Sequence, residues 1–188
     1  MPSESPTLLV VQERLEDFDE AACVEAVRTA GDEAWGVDIN AGHNHGPSSD
    51  MVEAARRAVS AATVVDKPVM LGLRREDEEG SGEDWSLAEQ LGMLRPGDVV
   101  TYCFAPRTQP TGIVCADGAV EPAALEARER GVIFDTAHGG ALDLSIAQAA
   151  IAAGFPPDTI SSDYHSHELA HRIDGETVRR SILKSSPV

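Results

Sequence analysis

The chain has 188 residues, with 32 acidic side chains against 15 basic ones, a formal net charge of −17. Such a charge argues against nucleic acid or an anionic membrane surface as a partner, since both are held by basic patches. No run approaches the ~18 consecutive apolar residues of a membrane span, and "MPSESPTLLVV" lacks the basic region and apolar core of a secretory signal, so a soluble, cytoplasmic protein is expected.

In chain order, short β-branched or aliphatic runs alternate with alanine-rich stretches of helical period, the pattern of βα units on a parallel sheet. Strands are expected at Leu8 to Val11, Trp35 to Ile39, Val69 to Leu73, Val99 to Phe104, Val132 to Asp135 and Thr159 to Ser162. Helices are expected at Glu20 to Thr29, Ser49 to Val64, Trp85 to Leu94, Pro122 to Arg130 and Leu144 to Ala153, with Asp19, Ser48 or Ser49, and Asp143 as N-caps. Val69, Val100, Val132 and Ile160 should be buried. "PTGIVCADGAVEP" reads as a hairpin-like insertion turning at Asp117-Gly118, and 74–84 as an acidic loop. Length favours a single domain over 1–188. Cys23, Cys103 and Cys115 have no metal-type spacing and read as reduced, mostly buried thiols.

Six such units make either an open doubly wound sheet or most of a (β/α)8 barrel. Both bind ligands at the C-terminal ends of their strands. The polar residues after the strands are therefore the candidates: Asp38 and Asn40, Gly72 and Arg74, Tyr102, Asp135 with His138, and Asp163 with His165 and His167. "AGHNHG" carries His43 and His45 two residues apart, where two imidazoles on an extended segment point the same way and can chelate one ion. A polar loop flanked by glycines is the plain alternative. In "SSDYHSH", Asp163 suits a metal ligand, a general base, or a helix cap. "GVIFDTAHGG" is the most specific stretch, because a buried strand delivers Asp135 and His138 at fixed offsets. The structural alternative is that Asp135 binds backbone amides while His138 lines the loop.

Taken together, "MLRPGDVVTYCF", "EARERGVIFDTAHGG" and "AGFPPDTISSDYH" resemble the second half of the amidohydrolase superfamily, in its deacetylase, dihydroorotase-like and D-aminoacylase-like branch. The resemblance implies a partial (β/α)8 TIM-type barrel of about six parallel βα units. It also implies one or two divalent metals, usually zinc, activating a water against an amide or cyclic amide substrate. That family holds its metal with an HxH on the first strand, a carbamylated lysine on the fourth, histidines on the fifth and sixth, and an aspartate on the eighth. Mapped onto this chain, which would start at the third strand, the lysine position is Asp38, the histidine positions are Gly72 and Tyr102, and Asp163 and His138 match.

The resemblance thus implies a metal set drawn from Asp163, His138 and Asp38, for which His43 and His45, close in sequence to the lysine position, could substitute as ligands, with Tyr102, Asp135 and His165 expected at the substrate pocket. Two functions are expected from it. One is metal-dependent hydrolysis of N-acyl amino acids or cyclic amides, with Asp163 as ligand and proton acceptor and His138 at the substrate. The other is a homologue without the chemistry, binding a small ligand or serving a complete subunit. Glycine offers no side-chain ligand and a phenol is a poor zinc ligand beside imidazole, so zinc should be weak or absent. Open sheet edges call for a homo-oligomer or a partner subunit.

Overall fold

The computed structural model describes residues 15–40, 48–73, 85–105, 112–115, 117–137 and 142–162. Within them, four strands form one parallel sheet in the order β1 (Val37–Asn40), β2 (Val69–Gly72), β3 (Val99–Thr101), β4 (Ile133–Phe134). The helices are α1 (Glu20–Ala30), α2 (Ser48–Val64), α3 (Leu87–Gly92), α4 (Pro122–Glu129) and α5 (Leu144–Ala152). Each strand pairs with the next in sequence, with Asn40 opposite Gly72, Gly72 opposite Thr101, and Val100 opposite Phe134.

Side chains alternate between the two faces of a strand, and the sequence sorts accordingly. Val37, Ile39, Val69, Leu71, Val100 and Phe134 form one buried core with Met51, Ala54 and Ala62 of α2, Leu87 and Leu91 of α3, Ala124 and Ala127 of α4, and Ala150 of α5. The small alanines let the helices lie close on the sheet. The other face carries Asp38, Asn40, Met70, Gly72, Val99 and Thr101, the mixed polar set that leads to the strand ends.

The expected helices form to within a few residues at either end. Asp19 accepts from the Ala22 amide at 3.0 Å, and Asp143 from Ser145 and Ile146 at 2.8 and 3.3 Å. Two starts differ from expectation. α2 already begins at Ser48, which places both expected serine caps inside its first turn, and α3 is started by Ser86, whose side chain and that of Glu89 close a capping box. The hairpin expected at Asp117-Gly118 is present: Val114 bridges Val120 antiparallel, and Gly118 turns with φ +84°. None of the three cysteines is in a disulfide. Cys103 is buried and the others half-buried, and burial, followed by the charge of Glu20, pushes the Cys23 thiol above its ordinary pKa. Among the described residues no helix is long and apolar enough to cross a membrane.

The strand expected at 8–11 lies outside the described residues. That at 159–162 is reduced to a single parallel bridge, Asp135 to Thr159. Val69, Val100 and Val132 are buried as expected, but Ile160 is 79% exposed. The hydroxyls of Thr159 and Ser161 both turn to Asp135, and alternation along an extended segment sends the residue between them the other way.

Two polar clamps fix the frame, the first of them at the opposite end of the sheet from the candidate site. Asp98, 1% exposed, accepts from the Val69 amide at 2.9 Å and from Arg95 through its backbone and guanidinium. Arg95 in turn donates to the Lys67 carbonyl at 2.9 Å and to the Thr63 hydroxyl. The end of α2, the start of β2 and the start of β3 are thereby tied together. The second clamp is Arg128 of α4, stacked 3.6 Å above the Phe155 ring and donating to the Pro156 carbonyl and to Asp158, whose carboxylate accepts from the Phe134 amide.

Gly36 sits where β1 enters the sheet. A Cβ there would lie 2.5 Å from the Pro68 carbonyl oxygen, the acceptor of the Val37 amide. Backbone cannot yield as a side-chain tip can, so Gly36→Ala should lower stability by about 1–3 kcal/mol. Urea denaturation of the two proteins measures it, and an unchanged midpoint would refute the close approach.

Candidate functional site

Because all four strands run the same way, Asn40, Gly72, Thr101-Tyr102 and Asp135 come to one end of the sheet. In parallel α/β sheets this end receives ligands. Asn40, Gly72 and Thr101 share one row by register. Tyr102 then leaves the strand with φ +61°, a left-handed backbone that costs a non-glycine residue energy. The turn lays the ring beside Gly72: a Cβ on Gly72 would sit 3.2 Å from Tyr102 Cε2 and 2.8 Å from Asn40 Oδ1. The Asn40 amide donates to the Tyr102 hydroxyl across a long 3.4 Å. Tyr102 is 5% exposed and packs with Ala105 and Ala137, and Ala137 is itself left-handed at φ +43°. Two strained residues thus meet just past β3 and β4, where the chain must turn sharply off the sheet.

Asp38, mapped to the lysine position, lies on the same face of β1 two residues before Asn40 and is exposed. The residue that the register brings against Gly72 and Tyr102 is Asn40. Sequence reading noted Asn40 after the strand but gave it no role, because only the pairing of β1 with β2 reveals its neighbour.

Asp135, expected at the substrate pocket, is 2% exposed and holds four donors. Its Oδ2 accepts from the Thr101 hydroxyl at 2.7 Å, the Ser161 hydroxyl at 2.6 Å and the Ala137 amide at 2.9 Å, and its Oδ1 accepts from the Thr159 hydroxyl at 2.7 Å. A carboxylate has about four lone-pair sites, and here they clasp β3, the turn after β4 and the 159–161 segment into one unit.

His43, His45, His138, Asp163 and His165 lie outside the described residues. Among the described residues no group of three His, Cys, Asp or Glu side chains could hold a metal ion. The Gly72–Tyr102 arrangement does not fit a metal either, because the space beside Gly72 holds a phenol ring and an amide oxygen rather than imidazole.

No protein-family model matches the chain. It is 38% identical over 82 residues to a deacetylase of Agrobacterium fabrum, covering 43% of this chain and 20% of that protein. It is 27% identical over 157 residues to a deacetylase of Brucella anthropi, covering 82% of this chain and 36% of the relative. A deacetylase of Enterococcus faecalis is 32% identical over 81 residues, 42% of this chain and 21% of that one. In fold the chain is similar to the crystal structures of an adenine deaminase (TM-score 0.70, 22% identity, 86% of this chain and 41% of that chain) and a dihydroorotase (TM-score 0.60, 25% identity, 88% and 46%). The chain resembles the amidohydrolase superfamily.

The amidohydrolase neighbours are TIM barrels, and the four-stranded parallel sheet corresponds to part of one. The chain spans between 20% and 36% of the length of the curated relatives it matches. The three motif blocks that carried the resemblance divide between the clamps and the candidate site. Arg95, Asp98, Arg128 and Asp158 belong to the clamps, whereas Tyr102 and Asp135 belong to the strand ends. The clamps went unrecognised in the sequence, although the i, i+3 spacing of an arginine and an aspartate around Pro96-Gly97 was a signal that could have found the first.

Proposed function

We propose that this chain keeps the amidohydrolase frame without metal-dependent hydrolysis at the β1–β3 strand ends, and binds a small polar ligand there as a cytoplasmic protein. One observation carries the reading: at the two positions where the resemblance places imidazoles there stand a glycine and the tyrosine ring packed against it. Zinc sites need three or four protein ligands, and this face offers a phenol and a carboxamide in their stead. Association with a second copy or a partner subunit is proposed alongside, since sheet edges left open are generally covered.

The similarity to proteins named deacetylases favours a second reading, hydrolysis of N-acyl amino acids or cyclic amides. There Asp163 would serve as metal ligand and proton acceptor, His138 would meet the substrate, and Asp38, His43 or His45 would complete a zinc or other divalent site. Elemental analysis after purification in zinc, with an assay on N-acetyl amino acids, separates the two. The first reading expects well under one zinc per chain and background hydrolysis. One tightly held zinc per chain, lost in Asp163→Ala or His43→Ala together with the activity, would establish the second.

A further inference from the structure

The resemblance implies imidazoles at positions 72 and 102, where a glycine and a tyrosine stand, and these two residues are not independent of one another. We propose that they form one interlocked exchange, in which the Tyr102 ring plugs the space of a side chain at position 72, so that neither position accepts an imidazole while the other keeps its present residue. The proposal deepens the reading of a site without metal, and it rests on geometry rather than on the missing ligands.

Three observations meet at this point. Any side chain at position 72 would begin with a Cβ 2.8 Å from Asn40 Oδ1 and 3.2 Å from Tyr102 Cε2. The first is shorter than real Cβ contacts, so the Asn40 amide must turn aside, and the second demands that the ring give by a few tenths of an ångström. The ring is poorly placed to do so, since it is 5% exposed, packed on Ala105 and Ala137, and set on a left-handed backbone. Finally, the Asn40 amide reaches the Tyr102 hydroxyl, which links both obstacles. An imidazole at position 72 must therefore displace the tyrosine, while an imidazole at position 102 alone would leave unfilled the space that the longer phenol spans above Gly72.

Gly72 gives the test its sign. Glycine in a strand weakens it, and alanine at a site with room is normally stabilising. Gly72 has no unusual backbone conformation that would forbid a side chain. Melting of the metal-free protein, kept so with chelator, should show a lower Tm for Gly72→Ala, and that loss should shrink when Asn40→Ser removes the nearer obstacle. In the larger cycle, Gly72→His should lower Tm more in the presence of Tyr102 than in the Tyr102→His background. A Tm that rises in Gly72→Ala, or equal losses from Gly72→His in both backgrounds, would overturn the interlock. The two readings fail separately: zinc bound by other residues of the unmodified chain would defeat the proposed function while leaving the sign of the Gly72→Ala shift unchanged.

Discussion

Replacing Asp98 with alanine is expected to remove about 1.5–3 kcal/mol of stability, the usual worth of a hydrogen bond to a charged group, because the carboxylate is buried while its partner Arg95 keeps 31% of its side chain in solvent. The substitution strands the Val69 amide and leaves Arg95 without the carboxylate that directs it onto Lys67 and Thr63. Burial by itself would raise the Asp98 pKa. The Arg95 guanidinium and the amides of Val69 and Arg95 outweigh it and hold the carboxyl below its ordinary value. A carboxyl lowered on folding stabilises fully above its unfolded value of about 3.9, and that contribution is lost as the pH falls through the folded-state value. Urea midpoints measured from pH 7 down to pH 2 should therefore drop in the acid range for the native chain. Asp98→Asn, which retains an oxygen for Val69 but cannot titrate, should start lower and show a shallower acid decline. An unchanged acid profile would show that the pair contributes nothing.

Asp135→Ala is expected to cost on the order of 3 kcal/mol, since hydrogen bonds to a charged acceptor are each worth ~1.5–3 kcal/mol and several depend on this one. Its effect should also be uneven. The 159–161 segment owes its place to the Thr159 and Ser161 hydroxyls rather than to apolar burial, with Ile160 in the open. Hydrogen–deuterium exchange should thus accelerate first at the Asp158 and Thr159 amides, which bond to the Phe134 carbonyl, and at Thr136, which bonds to Thr159. Amides within β2 and β3 should remain protected. Uniform acceleration across the sheet would mean that Asp135 supports the whole core and not a clasp.

What could be read from the sequence was whatever depends on neighbours along the chain. Alternation of aliphatic runs with alanine-rich stretches located the βα units, and Asp19 and Asp143 announced their helices. The unread part depends on partners far away in sequence. Ile160 looked like a core residue in "DTISSD" because nothing local reveals that Thr159 and Ser161 would both turn to a carboxylate 24 and 26 residues earlier. Gly72 read as a lost ligand, whereas its close neighbours, Asn40 and Tyr102, lie on another strand and just past a third. Asp135 and Asp98 are the same residue type beside buried strands, yet one is clasped by hydroxyls at the C-terminal end and the other by a guanidinium at the N-terminal end. No single-sequence pattern separates them.

The sheet's order, in which every strand lies beside the one made before it, bears on how the polypeptide assembles during synthesis. Among the described strands none has to wait for a later one to be inserted between itself and its neighbour. As the ribosome releases the chain from its N-terminal end, β2 can dock on β1 before β3 exists, and each crossover helix can settle on a hydrophobic surface already laid down. Growth is then vectorial, with one bare edge moving forward a strand at a time, and the clasp at Asp135 closes only when Thr159 and Ser161 have emerged.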